Sequence, residues 1–356
     1  MREKILTALR EKNDYVSGQT LCDTFGVSRT AVWKAVNSLR AEGYEIDSVQ
    51  NRGYKLISTP EIYSASEIEK NLQTDWISRP VIFYGETGST NTECKKLLEE
   101  GKNAPLLVAA ANQNAGKGRR GRSWESPRDT SISFSLGLKP DIEPACAPML
   151  TLVMAVAVQK AIEGITGLRS QIKWPNDIVI NGKKVCGILT EMNLEETYIS
   201  SVIIGVGINV GQTVFPEEIS DRATSIRVEM SKKRFPNETE DRTGRAADRT
   251  ERAGTEVTEQ VGKLSRSAIT AACINCFEKE YETFLQSMDL SGMKERYEQC
   301  MAGINETVRV LDPKGEYKGT ARGITGDGQL LVELEDGRTE KVYAGEVSVR
   351  GIYGYV

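Results

Sequence analysis

No histidine occurs anywhere in the 356 residues. That absence excludes Ser-His-Asp hydrolysis, histidine general-base catalysis and the usual histidine-ligated zinc enzymes. Cysteine is present but unorganised: the seven thiols show no metal-ligand spacing, and Cys273 and Cys276 form a CxxC only by standing one helical turn apart. They read as small buried residues in a reducing compartment. No segment is expected to span a membrane and no apolar N-terminal stretch directs export, so a soluble, cytoplasmic chain is expected. A net charge of −4 argues against a protein dominated by nucleic-acid binding, while allowing one local basic face. The chemistry left open uses Lys, Arg, carboxylates, backbone dipoles and a metal carried by substrate phosphates. The length exceeds one ordinary core, so two or three domains are expected.

What is present is concentrated in two segments. Gly116-Lys117-Gly118-Arg119-Arg120-Gly121-Arg122, closed by Ser123-Trp124, interleaves four positive charges with three glycines directly after the apolar strand Leu106–Ala111. Glycine admits a ligand close to backbone N–H groups, and the Arg and Lys side chains supply charge and forked donors. Such a loop suits nucleotide phosphates or a small carboxylate. The plainer readings are a nucleic-acid patch or a disordered basic segment. The second segment is Lys173-Trp174-Pro175-Asn176-Asp177, followed by a run through Leu189 with Asn181-Gly182 inside it. Asn-Gly between β-branched runs predicts a two-residue hairpin. The register then pairs Ile180 with Lys183, Val179 with Lys184, Ile178 with Val185 and Asp177 with Cys186. Lys184, Val179 and Asp177 fall on one face and Lys183 on the other, solvated. Asp177 and Lys184 become diagonal neighbours roughly 7–8 Å apart, within reach of a lysine side chain. By spacing alone this is equally a surface ion pair of little worth.

Residues 1–60 predict three short helices and a β-ribbon. Ile5, Leu6 and Leu9 stripe the first helix, Thr20–Phe25 forms a second stopped by Gly26, and Ser28 caps a third that ends near Gly43. Helix, glycine turn, helix is the helix-turn-helix arrangement, and Tyr44–Ile57 with its Asn51-Arg52-Gly53 turn reads as a wing. Arg29, Lys34 and Arg40 on or near the third helix, with Arg52 and Lys55 on the wing, are the candidates to face phosphate. Ser28, Arg29, Thr30, Trp33 and Lys34 are those nearest the major groove. The competing reading is a small helical interaction module. Residues 65–300 mix strands and helices: Thr90 with Glu93 suggests a capping box, and Cys146–Ile165 a long core helix. Residues 229–262, polar and charged, are expected to be a flexible insertion. Residues 305–356 show short strands broken by glycine turns, the pattern of a small β-barrel. Glycines 205 and 207 alone suggest no more than a strand where backbones pack closely.

Five motifs in order, behind a helix-turn-helix, carry a resemblance: Thr87-Gly88-Ser89-Thr90-Asn91, Gln113 with the Gly116–Trp124 loop, Lys173–Asp177, Lys184–Leu189 and Ile204–Asn209. Over nearly its whole length the chain resembles the bacterial bifunctional biotin–protein ligases and biotin operon repressors. The resemblance implies an α+β multidomain chain. It has an N-terminal winged helix-turn-helix, a central mixed α/β domain related to class II synthetases and lipoate ligases, and a C-terminal SH3-like β-domain. It implies helices on one face of the central sheet. It implies that biotin and ATP give biotinyl-5′-AMP, and that the biotinyl group passes to a lysine of the biotin carboxyl carrier protein of acetyl-CoA carboxylase. The intermediate-bound homodimer would repress the biotin operon by binding operator DNA.

Residue by residue, the resemblance places Ser89, Thr90, Asn91, Gln113, Gly116, Lys117, Arg119, Lys184 and Gly187 at biotin. It places Arg119, Arg122, Trp124, Asn176, Lys184 and Asn209 at ATP, with Trp124 over the adenine. Lys184, Arg119 and Asp177 are the implied catalytic set, and Asp177 would hold Mg²⁺ with the ATP phosphates. Arg322 and Glu346 would line the nucleotide contact of the C-terminal domain, and Phe215–Ile226 its nucleotide-side loop. Lys117 departs from the arginine often found there, so a point charge replaces a fork. The alternatives are a lipoate- or octanoate-type ligase on the same scaffold and a non-catalytic, effector-sensing repressor.

Overall fold

The computed structural model describes every residue except 13, 42, 50–51, 59–60, 78–79, 235–263, 313–314, 345–347 and 352–354. The described chain forms two compact units, one containing Met1–Ile62 and one containing Tyr63–Pro236 and Arg266–Val356.

In the first unit, α1 (Arg2–Lys12), α2 (Gly18–Phe25) and α3 (Arg29–Ala41) precede an antiparallel ribbon of β1 (Glu45–Val49) and β2 (Gly53–Ser58). Ile5, Leu6, Leu9, Leu21, Val32, Val36 and Leu39 are all buried in one core, so the apolar stripes read from spacing are the packed faces. The second helix begins two residues earlier than the pattern suggests, because Ser17 is its cap and accepts from the Thr20 N–H at 3.0 Å. Gly26 ends it in the left-handed region (φ 64°), and Ser28 Oγ accepts from the Ala31 N–H at 3.3 Å to start α3. Asn51 of the expected wing turn lies outside the described residues.

The second unit is built on a seven-stranded mixed sheet. Its order is β3 (Ile82–Tyr84), β4 (Leu106–Ala110), β7 (Ser131–Leu138), β11 (Tyr198–Asn209), β10 (Lys183–Glu195), β9 (Asp177–Ile180), β8 (Gln171–Lys173). Only β3 and β4 run parallel. Two of its central strands alternate large and small residues. On β7, Ile132, Phe134, Leu136 and Leu138 alternate with Ser131, Ser133, Ser135 and Gly137; on β11, Ile204, Val206 and Ile208 alternate with Gly205 and Gly207. Register places Gly205 opposite Ser135 and Leu189, and Gly207 opposite Ser133 and Gly187, so the small residues share one face. The large residues, fully or almost fully buried, make the other face.

Helices cover both faces, not one as the resemblance implies. On the small-residue face, α5 (Thr90–Glu99) presses so closely that a Cβ on Gly137 would meet Cys94 Sγ at 2.6 Å. On the opposite face, Thr151 of α6 (Met149–Thr166) donates to Thr190 of β10 at 2.8 Å, and α6 packs along α8 (Arg266–Ser287). The expected helix from Cys146 therefore starts later, after a 3-10 turn at Pro144–Cys146 with Pro148 as its cap. By length and composition alone Pro144–Thr166 passes as a membrane span, against expectation; in the fold it is the buried central helix. The Thr90–Glu93 capping box does not form: Ser89 is the cap residue, and Glu93 instead accepts the Thr87 hydroxyl at 3.0 Å.

The expected insertion begins too early in the sequence reading. Glu229 lies inside α7 (Ile226–Arg234) and is buried, accepting from Thr224 Oγ1 at 2.5 Å and Asn181 Nδ2 at 2.6 Å and pairing with Lys232 at 2.7 Å. Despite the burial, these donors hold its carboxyl below the usual range. A charged residue looked like linker because its partners come from the hairpin turn and the preceding loop. Residues 235–262 of the expected insertion lie outside the described residues.

The chain then continues through α9 (Lys294–Gln299) into a separate five-stranded antiparallel sheet. It comprises β12 (Thr307–Asp312), β13 (Gly315–Ile324), β14 (Leu330–Glu333), β15 (Thr339–Val342) and β16 (Ser348–Gly351), ordered 15-14-13-12-16.

Candidate active site

The small residues leave room on one face of the main sheet, and a cleft of about 610 Å³ occupies it. Its floor explains the glycines of β11. A Cβ on Gly205 would stand 2.1 Å from Asn91 Oδ1, and one on Gly207 would stand 2.4 Å from the Trp124 indole. The packing is close, as expected, but against the Asn91 and Trp124 side chains and not against backbone.

Trp124 is delivered by β6 (Ser123–Ser126), which pairs with β5 (Gln113–Lys117) to form the stem of the basic loop. Gly116 faces Trp124 across this ribbon, where a Cβ would sit 2.4 Å from the Trp124 carbonyl oxygen. The loop turns through Arg119–Gly121, with Arg120 and Gly121 both at positive φ, and closes with the Gly118 N–H donating to the Arg122 carbonyl at 2.7 Å. This geometry sends Arg119 inward. Its Nη1 donates to Asn176 Oδ1 at 2.8 Å, and its Nη2 donates to the Ala344 carbonyl of the C-terminal segment. Lys117, Arg120 and Arg122 remain exposed on the cleft rim. Trp124 Nε1 is buried without a hydrogen-bond partner among the described residues, a donor available to whatever fills the cleft.

The hairpin register differs from the sequence expectation beyond Lys184. Ile180 and Val179 do pair with Lys183 and Lys184, but Ile178 pairs with Cys186 and Asp177 with Gly187. Val185 is bulged out. Beside it, the Lys184 N–H donates to the Arg222 carbonyl at 2.8 Å and its carbonyl accepts from the Thr224 N–H at 2.9 Å, so Lys184 is held laterally while still opposite Val179. The bulge brings Gly187, in place of Cys186, opposite Asp177 on the face that Lys184 and Asp177 share. The two charges pair directly, Lys184 Nζ lying 2.6 Å from Asp177 Oδ1, and the same Nζ is 5.5 Å from the centre of the Trp124 ring. Burial raises the Asp177 carboxyl, but Lys184 and then Tyr355 outweigh it, and the group is held below its usual value. Lys183 is half-buried and donates to the Ser220 carbonyl at 3.1 Å, so it is not simply solvated as expected.

At the other end of the cleft, Gln113 Oε1 accepts from the Thr90 N–H at 2.7 Å and from its hydroxyl at 3.0 Å. What the Gln113 amide offers a ligand is therefore its N–H donors. Ser135 donates to Thr90 Oγ1 and to Asn91 Oδ1, and Asn91 Nδ2 donates to Glu191 at 2.6 Å. This buried chain fixes Thr90 and Asn91, with Ser89 buried beside them. Asn176 Nδ2 donates to the Ile188 carbonyl at 2.9 Å, and Asn209 Nδ2 to the Thr224 carbonyl at 3.1 Å. Phe215, Ile219 and Arg222 line the same cleft.

Most candidates thus converge: Ser89, Thr90, Asn91, Gln113, Lys117, Arg119, Arg122, Trp124, Asn176, Asp177, Lys184, Gly187 and Asn209 line one cleft. Arg322 does not; it pairs with Glu333 at 2.5 Å and donates to Asn305 at 3.0 Å within the C-terminal sheet. Glu346 lies outside the described residues. The donor set does not fit Asp177 as a metal ligand, because Lys184 faces one oxygen and the Tyr355 hydroxyl donates to the other. No cluster of three metal-ligating side chains exists among the described residues. Tyr355, Ser135 and Glu191 were missed in the sequence. The serine–glycine alternation of β7 could have flagged Ser135; no local pattern marks Tyr355.

In the first unit, Ser28 just before α3 and Arg29, Thr30, Lys34 and Trp33 on it face solvent, the last 56% exposed. Arg29 donates to Gln19 at 3.0 Å, and Arg52 stacks 4.5 Å over the Tyr15 ring. Arg40 is not turned toward a phosphate: it donates to the Ile46 carbonyl at 2.6 Å and to Ser48 at 3.1 Å, tying α3 to β1.

Sequence comparison matches residues 85–209 to the biotin/lipoate A/B protein ligase family, residues 1–55 to an HTH domain and residues 303–350 to the biotin protein ligase C terminal domain. The bifunctional ligase/repressor BirA of Bacillus subtilis (strain 168) is 37% identical over 339 residues, covering 95% of this chain and 94% of that one. The Escherichia coli (strain K12) protein of the same name is 29% identical over 347 residues, covering 97% and 96%. Among solved structures, the biotin protein ligase from Aquifex aeolicus in complex with biotin and ATP aligns with a TM-score of 0.58. It shows 28% identity and covers 77% of this chain and 100% of that one.

Proposed function

Since the chain belongs to the bifunctional biotin ligase/repressor family, we propose that its cleft adenylates biotin and transfers the product to protein. The activity is ATP-dependent ligation of biotin to a carrier protein, joined to transcriptional repression through the helix-turn-helix. The observation that carries the site assignment is the Asp177–Lys184 pair, set at 2.6 Å beside Arg119 and Trp124 in a histidine-free chain.

In the first half-reaction a biotin carboxylate oxygen attacks the α-phosphorus of ATP, and pyrophosphate leaves with the bonding electrons. Both reactants are anionic, so the barrier falls mainly by positioning and charge neutralisation. Lys184, held by Asp177, lies between them and meets the developing phosphate charge. Arg119, braced by Asn176 and the Ala344 carbonyl, meets the phosphates with Arg122 and Lys117. Gln113, Thr90, Ser89 and the backbone near Gly116 recognise the biotin ureido end, with Asn91 fixing their support, while Gly187 meets biotin beside Lys184. Trp124 covers the adenine and Asn209 orders the nucleotide-side loop. Magnesium travels on the ATP phosphates; Asp177 serves as the counter-ion of Lys184. In the second half-reaction a lysine amine of the carboxyl carrier protein attacks the acyl carbon of the mixed anhydride and AMP leaves.

The five-stranded C-terminal sheet is read as SH3-like, and the central domain as a relative of the class II synthetase and lipoate ligase folds. The loaded chain acts in the cytoplasm as a homodimer, placing two copies of α3 on a palindromic operator. Biotin-dependent ATP–pyrophosphate exchange tests the cleft, with lipoate and octanoate as comparison acids. Exchange with biotin alone supports the reading. Exchange only with the other acids makes this a lipoate-type ligase, and none with any acid makes the large unit an effector sensor. For the first unit, replacing both Arg29 and Lys34 by alanine is expected to flatten the slope of log affinity against log salt by about 2, one for each lost phosphate contact. An unchanged slope in electrophoretic-mobility titrations would remove α3 from the DNA interface.

A further inference from the structure

Tyr355, at the end of the chain, reaches the centre of the cleft. Its hydroxyl donates to Asp177 Oδ2, the oxygen that Lys184 does not face, while Lys173 Nζ sits 3.5 Å from the centre of its ring. The same C-terminal segment supplies the Ala344 carbonyl that holds Arg119. Two cationic residues of the cleft are therefore set by groups from beyond the main sheet.

A buried carboxylate with one oxygen unsatisfied rotates or draws its cation inward to compensate. With Tyr355 donating to Oδ2, the Asp177 carboxylate is locked in plane and part of its charge is spent on the hydroxyl. The Lys184 ammonium then stays directed at the cleft and remains available to a substrate carboxylate or phosphate. Lys173, lying on the ring, fixes the phenol's orientation. We propose that Tyr355 is a positioning residue for adenylation, orienting Lys184 through Asp177, so that the terminal residues of the chain complete the site. The inference rests on the reading of this cleft as the adenylating centre.

Tyr355→Phe keeps the ring on Lys173 and removes only the hydroxyl. In the full chain it is expected to lower kcat for biotin-dependent ATP–pyrophosphate exchange about 10-fold, the worth of one hydrogen bond to a charged group, with KM for biotin changed less than about twofold. The pH profile supplies a readout that packing would not move. The groups facing Asp177 are Lys184 and Cys186 of β10, Lys173 of β8, Arg119 of the basic loop and Tyr355. Burial raises the Asp177 carboxyl and the two lysines and the phenol lower it; losing the phenol donor shifts its titration to higher pH. The acid limb of exchange, where Asp177 must be ionised, is expected to move upward in Tyr355→Phe. Tyr355→Leu, which also loses the ring, is expected to fall further at an unfolding midpoint close to wild type.

Wild-type kcat and an unmoved acid limb in Tyr355→Phe would overturn the positioning role while leaving the enzyme assignment standing. So would a loss that appears only with a lowered unfolding midpoint. Exchange absent from the wild-type chain as well would overturn the assignment of the cleft and this inference with it.

Discussion

Lys184→Ala is expected to lower biotin-dependent ATP–pyrophosphate exchange by about 1,000-fold, the scale of losing a preorganised donor at a site of developing charge. Two effects combine. The variant removes the ammonium that offsets the substrate carboxylate and phosphates, and it leaves Asp177, with only 12% of its side chain exposed, as an uncompensated anion facing them. The second effect also costs stability, because a buried carboxylate deprived of its cation is penalised more than the intact pair was worth. The double variant Lys184→Ala, Asp177→Asn separates them: it should recover the unfolding midpoint and still fail to exchange. Near wild-type exchange in the single variant would remove Lys184 from the chemistry.

Gly207→Ala is expected to raise KM for ATP about 10-fold or more, the size of one lost base–aromatic stack. The new methyl carbon would lie 2.4 to 2.5 Å from the Trp124 ring atoms Cε2 and Nε1, so the indole must leave the strand surface. The indole also lies over Gly187, where an added Cβ would meet its Cζ3 at 3.2 Å and Lys184 Nζ at 3.0 Å, so it rests on two glycines. Gly164→Ala in α6, where nothing lies within 4 Å of the added carbon, is the control and should leave KM unchanged. A folded Gly207→Ala protein with wild-type KM for ATP would mean that Trp124 does not shape the nucleotide site.

The helix-turn-helix was legible because each element has a local cause. Ser28 caps, Gly26 terminates, and the stripe Ile5, Leu6, Leu9 meets a single core; the Ser17 cap that starts α2 two residues early went unread. The Asn181-Gly182 turn fixed its hairpin for the same reason, as both residues adopt positive φ. The basic loop and the Lys173–Asp177 run declared themselves by residue chemistry, and their order along the chain carried the family resemblance.

Local rules failed where a distant segment competes for the backbone or side chain. The register slips at Val185, next to the point where the Arg222–Thr224 segment bonds both backbone groups of Lys184. Arg40 looked like a phosphate ligand until β1 offered it a carbonyl. Glu229 looked like linker until Asn181, Thr224 and Lys232 closed on it.

The sequence by itself determined which residue types are available for catalysis, where the hairpin turns, and that β7 and β11 carry one face of small residues. Only the tertiary structure decided what those small residues are for: they open one side of the sheet to Asn91 and Trp124. It also decided that Tyr355, 178 residues away from Asp177 in the chain, completes the ion pair at the centre. Caps, turns and alternation act over a few residues and leave marks in order. A charge pair in a low-dielectric cleft is satisfied by whichever donor the folded chain brings within reach, and nothing in the local sequence records which one that is.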